Sequence, residues 1–263
     1  MLNYIKKGNG PITLVFIHGN SSSANYWSSV MQSNLSEQFT CIAVNLPGHG
    51  NSNVSSTPEQ TYTHKGMANE LDHFLQNVVD TDYILIGHSL GCNVIGELNF
   101  ENNTHCKGIF LTSPSIIGKA LTPQDIMLPN PLATPLFLET PTSEEVDLLM
   151  DELSRNNAEI KTLLIEDYIK TDPKVRTTLM HSVINNMLCD EITAIEKLNI
   201  PIGIVFGKED SLLQIQYLNN IDLKLYNDSP ILIENAGHYV QFDQPKKMNE
   251  LYFAFANHCL VTS

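Results

Sequence analysis

The sequence predicts an α/β fold in which helices flank a mostly parallel central sheet and a helical cap is inserted into the chain. Two observations lead to this prediction. Short apolar runs typical of buried strands alternate with helical patterns up to residue 115, and the alternation resumes after residue 190. Between these parts no convincing strand pattern is present. We therefore expect a core formed by 1–115 and 191–263 and a cap formed by 116–190.

The strands of the core are predicted from short runs of apolar and β-branched residues. Continuous apolar character indicates strands that are covered on both faces, as in the centre of a parallel sheet. Their alternation with helices favours right-handed βαβ units. The expected strands are 12–17, 41–44, 84–86, 109–111, 202–206 and 231–233.

The helices of the core are predicted from apolar residues at helical spacing, over 66–79 and from about 245 to 259. The cap is expected after the strand at 109–111, which follows the helix that begins past Ser89. Prolines are expected to prevent regular structure in the first half of the cap. The later half carries capping signals, and its expected helices are 142–154, 157–170 and 173–187.

The composition excludes several classes of partner. The 263-residue chain has a net charge of −14, so nucleic acid and anionic membranes would repel it. Its five cysteines are scattered without a CxxC pair, which indicates neither a zinc site nor a disulfide framework. The N-terminus has no apolar signal region and no run reaches membrane-spanning length. We expect a cytoplasmic protein with reduced thiols and a small-molecule substrate; the sequence does not indicate an oligomeric state.

Residues 87–91, Gly-His-Ser-Leu-Gly, stand between a predicted strand and a helical pattern. Gly-x-Ser-x-Gly in this position is the nucleophile elbow. The turn is so sharp that Ser89 must take an unfavourable backbone conformation, and a Cβ on either flanking glycine would collide with the strand or the helix. We therefore expect the Ser89 hydroxyl to stand exposed above the sheet, at the positive end of the following helix.

His238 and Asp210 are the predicted base and acid. A serine hydroxyl is a weak nucleophile that needs an adjacent base, and His238 follows the last predicted strand, where a parallel sheet gathers its functional loops. Asp210 follows the strand at 202–206 and is expected to orient His238; the order Ser, Asp, His is that of this fold class. Glu209 stays an alternative acid, because one residue of loop offset would exchange the two carboxylates.

Two backbone N–H groups are expected to bind the oxyanion of the reaction. Leu90 directly follows the proposed nucleophile and supplies one, and Asn20, in the loop after the first predicted strand, supplies the other. The alternative for Asn20 is a turn-forming role only, and its side-chain amide could also reach the pocket. Because the triad and the backbone donors complete the chemistry, neither a metal nor an organic cofactor is expected.

Together these residues resemble the α/β-hydrolase superfamily, in its capped, single-chain bacterial branch of serine hydrolases and esterases. The likeness rests on His-Gly-Asn at 18–20, Leu-Pro-Gly-His-Gly-Asn-Ser at 46–52, the pentapeptide at 87–91 and Ala-Gly-His at 236–238. The resemblance implies the α/β-hydrolase fold. The family usually has aspartate where this chain has Asn45, a difference expected to affect loop packing and not chemistry.

Within the superfamily, the chain is similar to metal-independent N-acyl-homoserine lactonases. His-Gly-Asn-Ser-Ser-Ser at 18–23 and Thr-Asp-Pro-x-Val-Arg at 171–176 carry this likeness. That family has tryptophan before the nucleophile where this chain has His88, so its acyl-chain environment does not carry over directly. Haloalkane dehalogenases and epoxide hydrolases use an aspartate nucleophile, and Ser89 disfavours both.

The sequence thus predicts a serine hydrolase of small carboxylic esters or lactones that forms an acyl-enzyme on Ser89. Leu- and Met-rich helices of the cap are expected to supply an apolar acyl pocket. Three alternatives stay open, because fold alone does not select chemistry. They are an N-acyl-homoserine lactonase specifically, a hydrolase of thioester, amide or C–C bonds, and a non-enzymatic ligand receptor that keeps the triad.

Overall fold

A computed structural model describes residues 1–219, 221 and 223–262, and in this part of the chain the strands form one seven-stranded sheet. The strand order is β1-β3-β2-β4-β5-β6-β7, in which β1 is antiparallel to β3 and every other pair is parallel. The predicted mostly parallel sheet is therefore confirmed. The strands are β1 Tyr4–Lys7, β2 Thr13–Ile17, β3 Thr40–Val44, β4 Tyr83–His88, β5 Cys106–Thr112, β6 Ile202–Gly207 and β7 Ile231–Ile233.

Helices connect the parallel strands, and short 3₁₀ turns lie at Ala24–Trp27, Phe100–Asn102 and Pro131–Phe137. None of the helices that the structure describes combines the length with the apolar character that crossing a bilayer requires. The α-helices are α1 Ser28–Met31, α2 Leu35–Gln38, α3 Pro58–Thr61, α4 His64–Val78, α5 Leu90–Gly96, α6 Pro123–Ile126, α7 Ser143–Ser154, α8 Ala158–Lys170, α9 Pro173–Ile184, α10 Glu191–Glu196, α11 Val240–Asp243 and α12 Pro245–Thr262.

An aromatic cluster joins the sheet to the C-terminal helix. Phe16 of β2 lies 5.1 Å from Trp27 and 5.9 Å from Tyr252 of α12, measured between ring centroids. Phe110 of β5 lies 5.3 Å from the same tyrosine ring. All four side chains are buried. Burial of such large apolar surfaces is the main stabilising contribution to a core of this kind.

The register of the sheet brings the ends of its central strands together. Ile17 pairs with Gly87, His88 pairs with Thr112, and Gly207 pairs with Ile233. Because these strands are parallel, the loops that follow β2, β4, β5, β6 and β7 all leave the same edge. Loops at the carboxyl edge of a parallel sheet are where such folds bind ligands.

Strand β1 was not expected from the sequence. Its four residues, Tyr4–Lys7, are all exposed, and it pairs only with β3 at one edge of the sheet. A strand with neither face buried carries no apolar run and no clear alternation. Apolar runs and apolar/polar alternation predict only strands with a buried face, so these patterns did not predict β1.

We call residues 116–190 the cap segment; it lies between β5 and β6. Its helices α7 and α8 occupy the predicted ranges, α9 begins as predicted but ends at Ile184 instead of 187, and Thr142 and Glu145 form the expected capping box. The expectation that prolines prevent regular structure in its first half was wrong. Pro123 begins α6 and Pro131 begins a 3₁₀ turn, since the first helical position needs no backbone N–H.

Candidate active site

Ser89 occupies a sharp turn between β4 and α5. Its backbone has φ 49° and ψ −117°, which is strained for a residue with a side chain. A Cβ on Gly87 would lie 2.9 Å from the backbone nitrogen of Cys92, and one on Gly91 would lie 2.4 Å from the carbonyl oxygen of Ile17. Both contacts are shorter than real Cβ atoms allow. Only glycine therefore fits on either side of this turn.

His238 and Asp210 form a buried hydrogen-bonded pair. The Nδ1 atom of His238 lies 2.9 Å from Oδ2 of Asp210, and the exposed fractions of the two side chains are 4% and 0%. The other carboxylate oxygen of Asp210 accepts the backbone N–H groups of Leu212 and Leu213 at 2.9 and 3.1 Å. Because Nδ1 faces a carboxylate, we assign its proton there, which leaves the Nε2 lone pair of His238 available as a base.

Glu209, the alternative acid, points away from His238. Its carboxylate forms an ion pair with Arg155 and accepts the backbone N–H of Asn235 at 3.1 Å. The carboxylate that contacts His238 is that of Asp210. The sequence left these two neighbours open, and the geometry separates them.

The backbone of His238 is held by two side chains from neighbouring strand ends. His88 donates from Nε2 to the His238 carbonyl oxygen at 3.0 Å, and Ser113 donates to the same oxygen at 3.0 Å. Burial lowers the pKa of His88 well below its ordinary value, so the ring is neutral with its proton on Nε2. Sequence reasoning missed both contacts. The signal for Ser113 was its place directly after β5, at the edge where the other site residues gather.

The residue that precedes Ser89 contacts His238. The rings of His88 and His238 lie 5.0 Å apart, and Ser89 is the next residue in the chain. Among the described residues, no hydrogen bond joins the Ser89 hydroxyl to His238.

Two further histidines stabilise the loops around the site. The backbone N–H of Leu46 donates to Nε2 of His18 at 3.0 Å, and the N–H of Ser21 donates to Nε2 of His49 at 3.2 Å. Burial lowers the pKa of His18 to about 4 and that of His49 well below its ordinary value. Both rings are therefore neutral acceptors at physiological pH, and their role is to fix backbone.

The loop that carries Asn20 passes directly beside Ser89. A Cβ on Gly19 would lie 3.2 Å from Cβ of Ser89. No described residue accepts a hydrogen bond from the backbone N–H of Asn20, whereas its side-chain amide donates to the carbonyl oxygen of Leu136 at 2.9 Å. The N–H of Leu90, the first residue of α5, has no acceptor within its helix. Both backbone groups are thus candidates to bind an oxyanion, and the amide of Asn20 already has a partner in the cap segment.

A cleft of about 330 Å³ opens beside His238, between residues 152–156 of the cap segment and the loops after β6 and β7. Arg155 lies at this opening, where its Nε is 3.9 Å from Oδ2 of Asp243. That carboxylate also accepts the N–H of Gly237 at 2.7 Å, and burial raises the pKa of Asp243. The wall of the cleft is therefore charged and ties the cap segment to the loop of His238.

Comparison with known proteins identifies the family. Residues 14–251 match the family model described as "Alpha/beta hydrolase family", which is most of the chain. The chain belongs to this family. The predicted superfamily and fold are therefore confirmed for this alpha/beta hydrolase.

Individual relatives support the same conclusion. Monoacylglycerol lipase ABHD6 of Rattus norvegicus is 23% identical over 261 residues, covering 95% of this hydrolase and 76% of the lipase. The N-acyl homoserine lactonase AidH, solved in complex with N-butanoyl homoserine, superimposes with a TM-score of 0.90 at 20% identity, covering 98% of this chain and 93% of AidH. A thermophilic esterase from Thermogutta terrifontis gives 0.78 at 17% identity over 98% and 93% of the two chains. The structural matches establish the fold, and the lactonase match is consistent with the resemblance seen in the sequence.

Proposed function

We propose that this alpha/beta hydrolase is a serine hydrolase of small carboxylic esters or lactones. Ser89 is the nucleophile, His238 the general base and Asp210 the acid that orients it. The N–H groups of Asn20 and Leu90 bind the oxyanion. The cap segment acts as a cap over the site and supplies the pocket for the acyl group.

The contact between His238 and Asp210 carries this proposal. A carboxylate 2.9 Å from Nδ1 fixes the tautomer of the imidazole and stabilises the imidazolium that forms during the reaction. Such a histidine can act as a general base for a serine on a strained strand-to-helix turn. A purely structural histidine needs neither the carboxylate nor the adjacent nucleophile.

The reaction follows from these positions. The Ser89 hydroxyl attacks the carbonyl carbon while its proton passes to Nε2 of His238, and the carbonyl oxygen becomes an oxyanion bound by the two N–H groups. When the C–O bond to the leaving group breaks, His238 returns that proton to the departing oxygen. Water then attacks the acyl-enzyme with His238 again as base, releasing the acid and free Ser89. In a lactone, the leaving oxygen stays in the product as a hydroxyl.

The proposed substrate class draws on the relatives as well as on the site. A lipase, a lactonase and an esterase share this fold, and each cleaves an acyl C–O bond according to its name. Leu153 of the cap segment lines the cleft beside His238 and is the apolar residue that the cap contributes to that lining.

A substrate panel tests the proposal. It contains p-nitrophenyl esters of short acids, N-acyl-homoserine lactones and acyl-CoA thioesters, each assayed with the wild-type chain and with Ser89→Ala. We expect turnover of at least one ester or lactone and its loss in the variant, by a factor on the order of a million. Unchanged turnover in Ser89→Ala would exclude this mechanism. Covalent labelling by a fluorophosphonate without turnover of any panel member would favour a receptor instead.

A further inference from the structure

The loop 18–23 forms hydrogen bonds with the cap segment through the side chains of Asn20 and Ser23. The Asn20 amide donates to the carbonyl oxygen of Leu136 at 2.9 Å. The Ser23 hydroxyl donates to the carboxylate of Asp167, in α8, with both carboxylate oxygens 2.8 Å away. These partners are more than a hundred residues from the loop in sequence, so the contacts belong to the tertiary structure of this chain.

Between these two points, Arg176 of α9 reaches the same loop. Its Nη1 lies 3.5 Å from the hydroxyl oxygen of Ser21, and its Nε donates to the carbonyl oxygen of Leu138 at 2.9 Å. The guanidinium carbon lies 4.2 Å from the ring centroid of Tyr168, which holds the group by a cation–π contact. The Tyr168 hydroxyl in turn donates to the carbonyl oxygen of Pro135 at 2.6 Å. The cap side of the loop is thus one connected network.

The two charged members of this network are costly to bury. Asp167 is 5% exposed and Arg176 is 3% exposed, and among the described residues neither forms an ion pair. A buried charge without an opposite charge destabilises a fold unless hydrogen bonds compensate it. Here the compensating partners include the hydroxyls of Ser21 and Ser23. Both side chains contact the loop, and Arg176 also contacts Leu138 and Tyr168 of the cap segment.

The loop itself needs such support. Ser21, directly after Asn20, has φ +54°, a conformation that residues with side chains rarely adopt. Strain of this kind persists only where the surroundings fix the backbone from several sides. His49 holds the Ser21 N–H from the core, at 3.2 Å, and the cap network holds the side chains from the opposite direction.

We propose that Asp167 and Arg176 are positioning residues, which hold the loop 18–23 through Ser23 and Ser21 so that the Asn20 N–H points at the oxyanion. The inference rests on the proposed function, since it assigns a purpose to that N–H. The cap segment is then a part of the catalytic geometry as well as a cover for the substrate. Neither side chain is required to touch substrate for this role.

The test compares Asp167→Ala with Asp167→Asn, using a substrate that the wild-type chain turns over in the panel. In Asp167→Ala we expect kcat to fall by up to roughly 100-fold with KM nearly unchanged, because a small misplacement of a catalytic group has effects of that size. Asp167→Asn should recover most of the loss, since its amide oxygen still accepts the Ser23 hydroxyl. The inhibition constant of a trifluoromethyl ketone, which forms a tetrahedral oxyanion on serine, should rise in parallel with the loss in kcat/KM.

One control variant and two further variants complete the test. Glu166→Ala removes the adjacent, exposed carboxylate of the same helix and should leave kcat unchanged. Ser23→Ala removes the same hydrogen bond from the loop side, and it answers the question if Asp167→Ala does not fold. Arg176→Met should also lower kcat more than it raises KM.

A folded Asp167→Ala or Ser23→Ala protein with wild-type kcat would overturn the inference while leaving the proposed function intact. Equal losses in Asp167→Ala and Asp167→Asn, or a change in KM alone, would also overturn it. If Ser89→Ala keeps full turnover, the proposed function fails and this inference fails with it.

Discussion

The sheet core and the cap segment position their functional groups in different ways. In the core, Ser89 and Asp210 lie within a few residues of the ends of β4 and β6, and His238 follows β7, so the backbone itself brings them to one edge. The cap segment contributes no strand to this edge and acts through side chains and carbonyl groups that reach the loop 18–23. The comparison separates two tasks. Strand ends place the proposed nucleophile, base and acid, and the cap aligns the loop of the proposed oxyanion donor.

Of the variants compared below, those at the acid of the core should show the largest effect. Asp210→Asn keeps the shape of the side chain but no longer stabilises the imidazolium of His238, and we expect kcat to fall on the order of 10,000-fold. Glu209→Gln is the matched control, because that carboxylate faces Arg155 and not His238. It should change kcat by no more than about threefold, an effect the size expected for an exposed ion pair. Steady-state kinetics on the same ester would contradict the assignment if the two variants lost activity equally.

The second prediction compares one glycine from each region. Gly91→Ala places a Cβ 2.4 Å from the carbonyl oxygen of Ile17, so we expect a loss of about 1–3 kcal/mol in the free energy of unfolding and a displaced Ser89. Gly118, in the cap segment, has no backbone atom among the three atoms nearest its Cβ position, and the nearest is the terminal Cδ1 of Ile192 at 3.1 Å. Denaturant unfolding of Gly118→Ala should therefore give a value close to that of the wild type. A Gly91→Ala protein as stable as the wild type would contradict a tightly packed elbow.

The junction between the two regions provides a third prediction. Glu191, at the start of α10, is completely buried, and burial raises the pKa of its carboxyl well above its ordinary value. A carboxyl with a raised folded-state pKa binds its proton more tightly when folded. Stability is therefore full below the unfolded-state pKa, and it decreases as the pH rises above that value. The slope is at most about 1.4 kcal/mol per pH unit for one proton.

Glu191→Gln removes this titration and resembles the protonated acid in shape. Its side-chain oxygen can still accept from the amide of Asn93 and the N–H of Ile117, which the carboxylate now does at 2.8 Å each. We expect the variant to gain stability relative to the wild type as the pH is raised from 5 to 8. Thermal unfolding across this range checks the expected gain, and a difference that does not change with pH would contradict a raised pKa of Glu191 in the folded state.

The smallest effect is expected at the exposed contact between the regions. Arg155 bridges the cap segment to Glu209 and Asp243, but its side chain is 36% exposed. Ion pairs in contact with water contribute little, so Arg155→Met should cost less than about 1 kcal/mol in unfolding free energy. That cost should vanish near 1 M salt, where the screening length is about 3 Å. A larger loss, or one that salt does not change, would mean that Arg155 behaves like the buried Arg176.

The same comparison explains how much could be predicted from the sequence. The elbow was predictable because backbone sterics demand glycine at both 87 and 91, and His238 because it follows a strand of a parallel sheet. Because the loops after parallel strands leave the same edge of the sheet, the positions of these residues after their strands were enough to predict that they lie at one edge. Local rules, applied to local patterns, were sufficient for this part of the site.

The contacts of the cap could not be predicted, because they join residues that are distant in sequence. Ser23 and Asp167 are separated by 144 positions, and Ser21 and Arg176 by 155. Each lies in an ordinary turn or helix whose local pattern would be the same without the contact. The contact between His88 and the His238 carbonyl was missed for the same reason. Asp210 was predicted as the acid, and Glu209 stayed an alternative because the choice depends on how one loop is folded.

We propose that turnover passes through Ser89. The most direct measurement is stoichiometric labelling of the wild-type chain with a fluorophosphonate, followed by intact-mass analysis, peptide mapping and an activity assay on each sample. We predict one phosphonyl group per chain, located on Ser89, and a loss of ester or lactone turnover in proportion to the labelled fraction. Turnover that persists in fully labelled protein, or a label on another residue that abolishes turnover, would contradict Ser89 as the nucleophile.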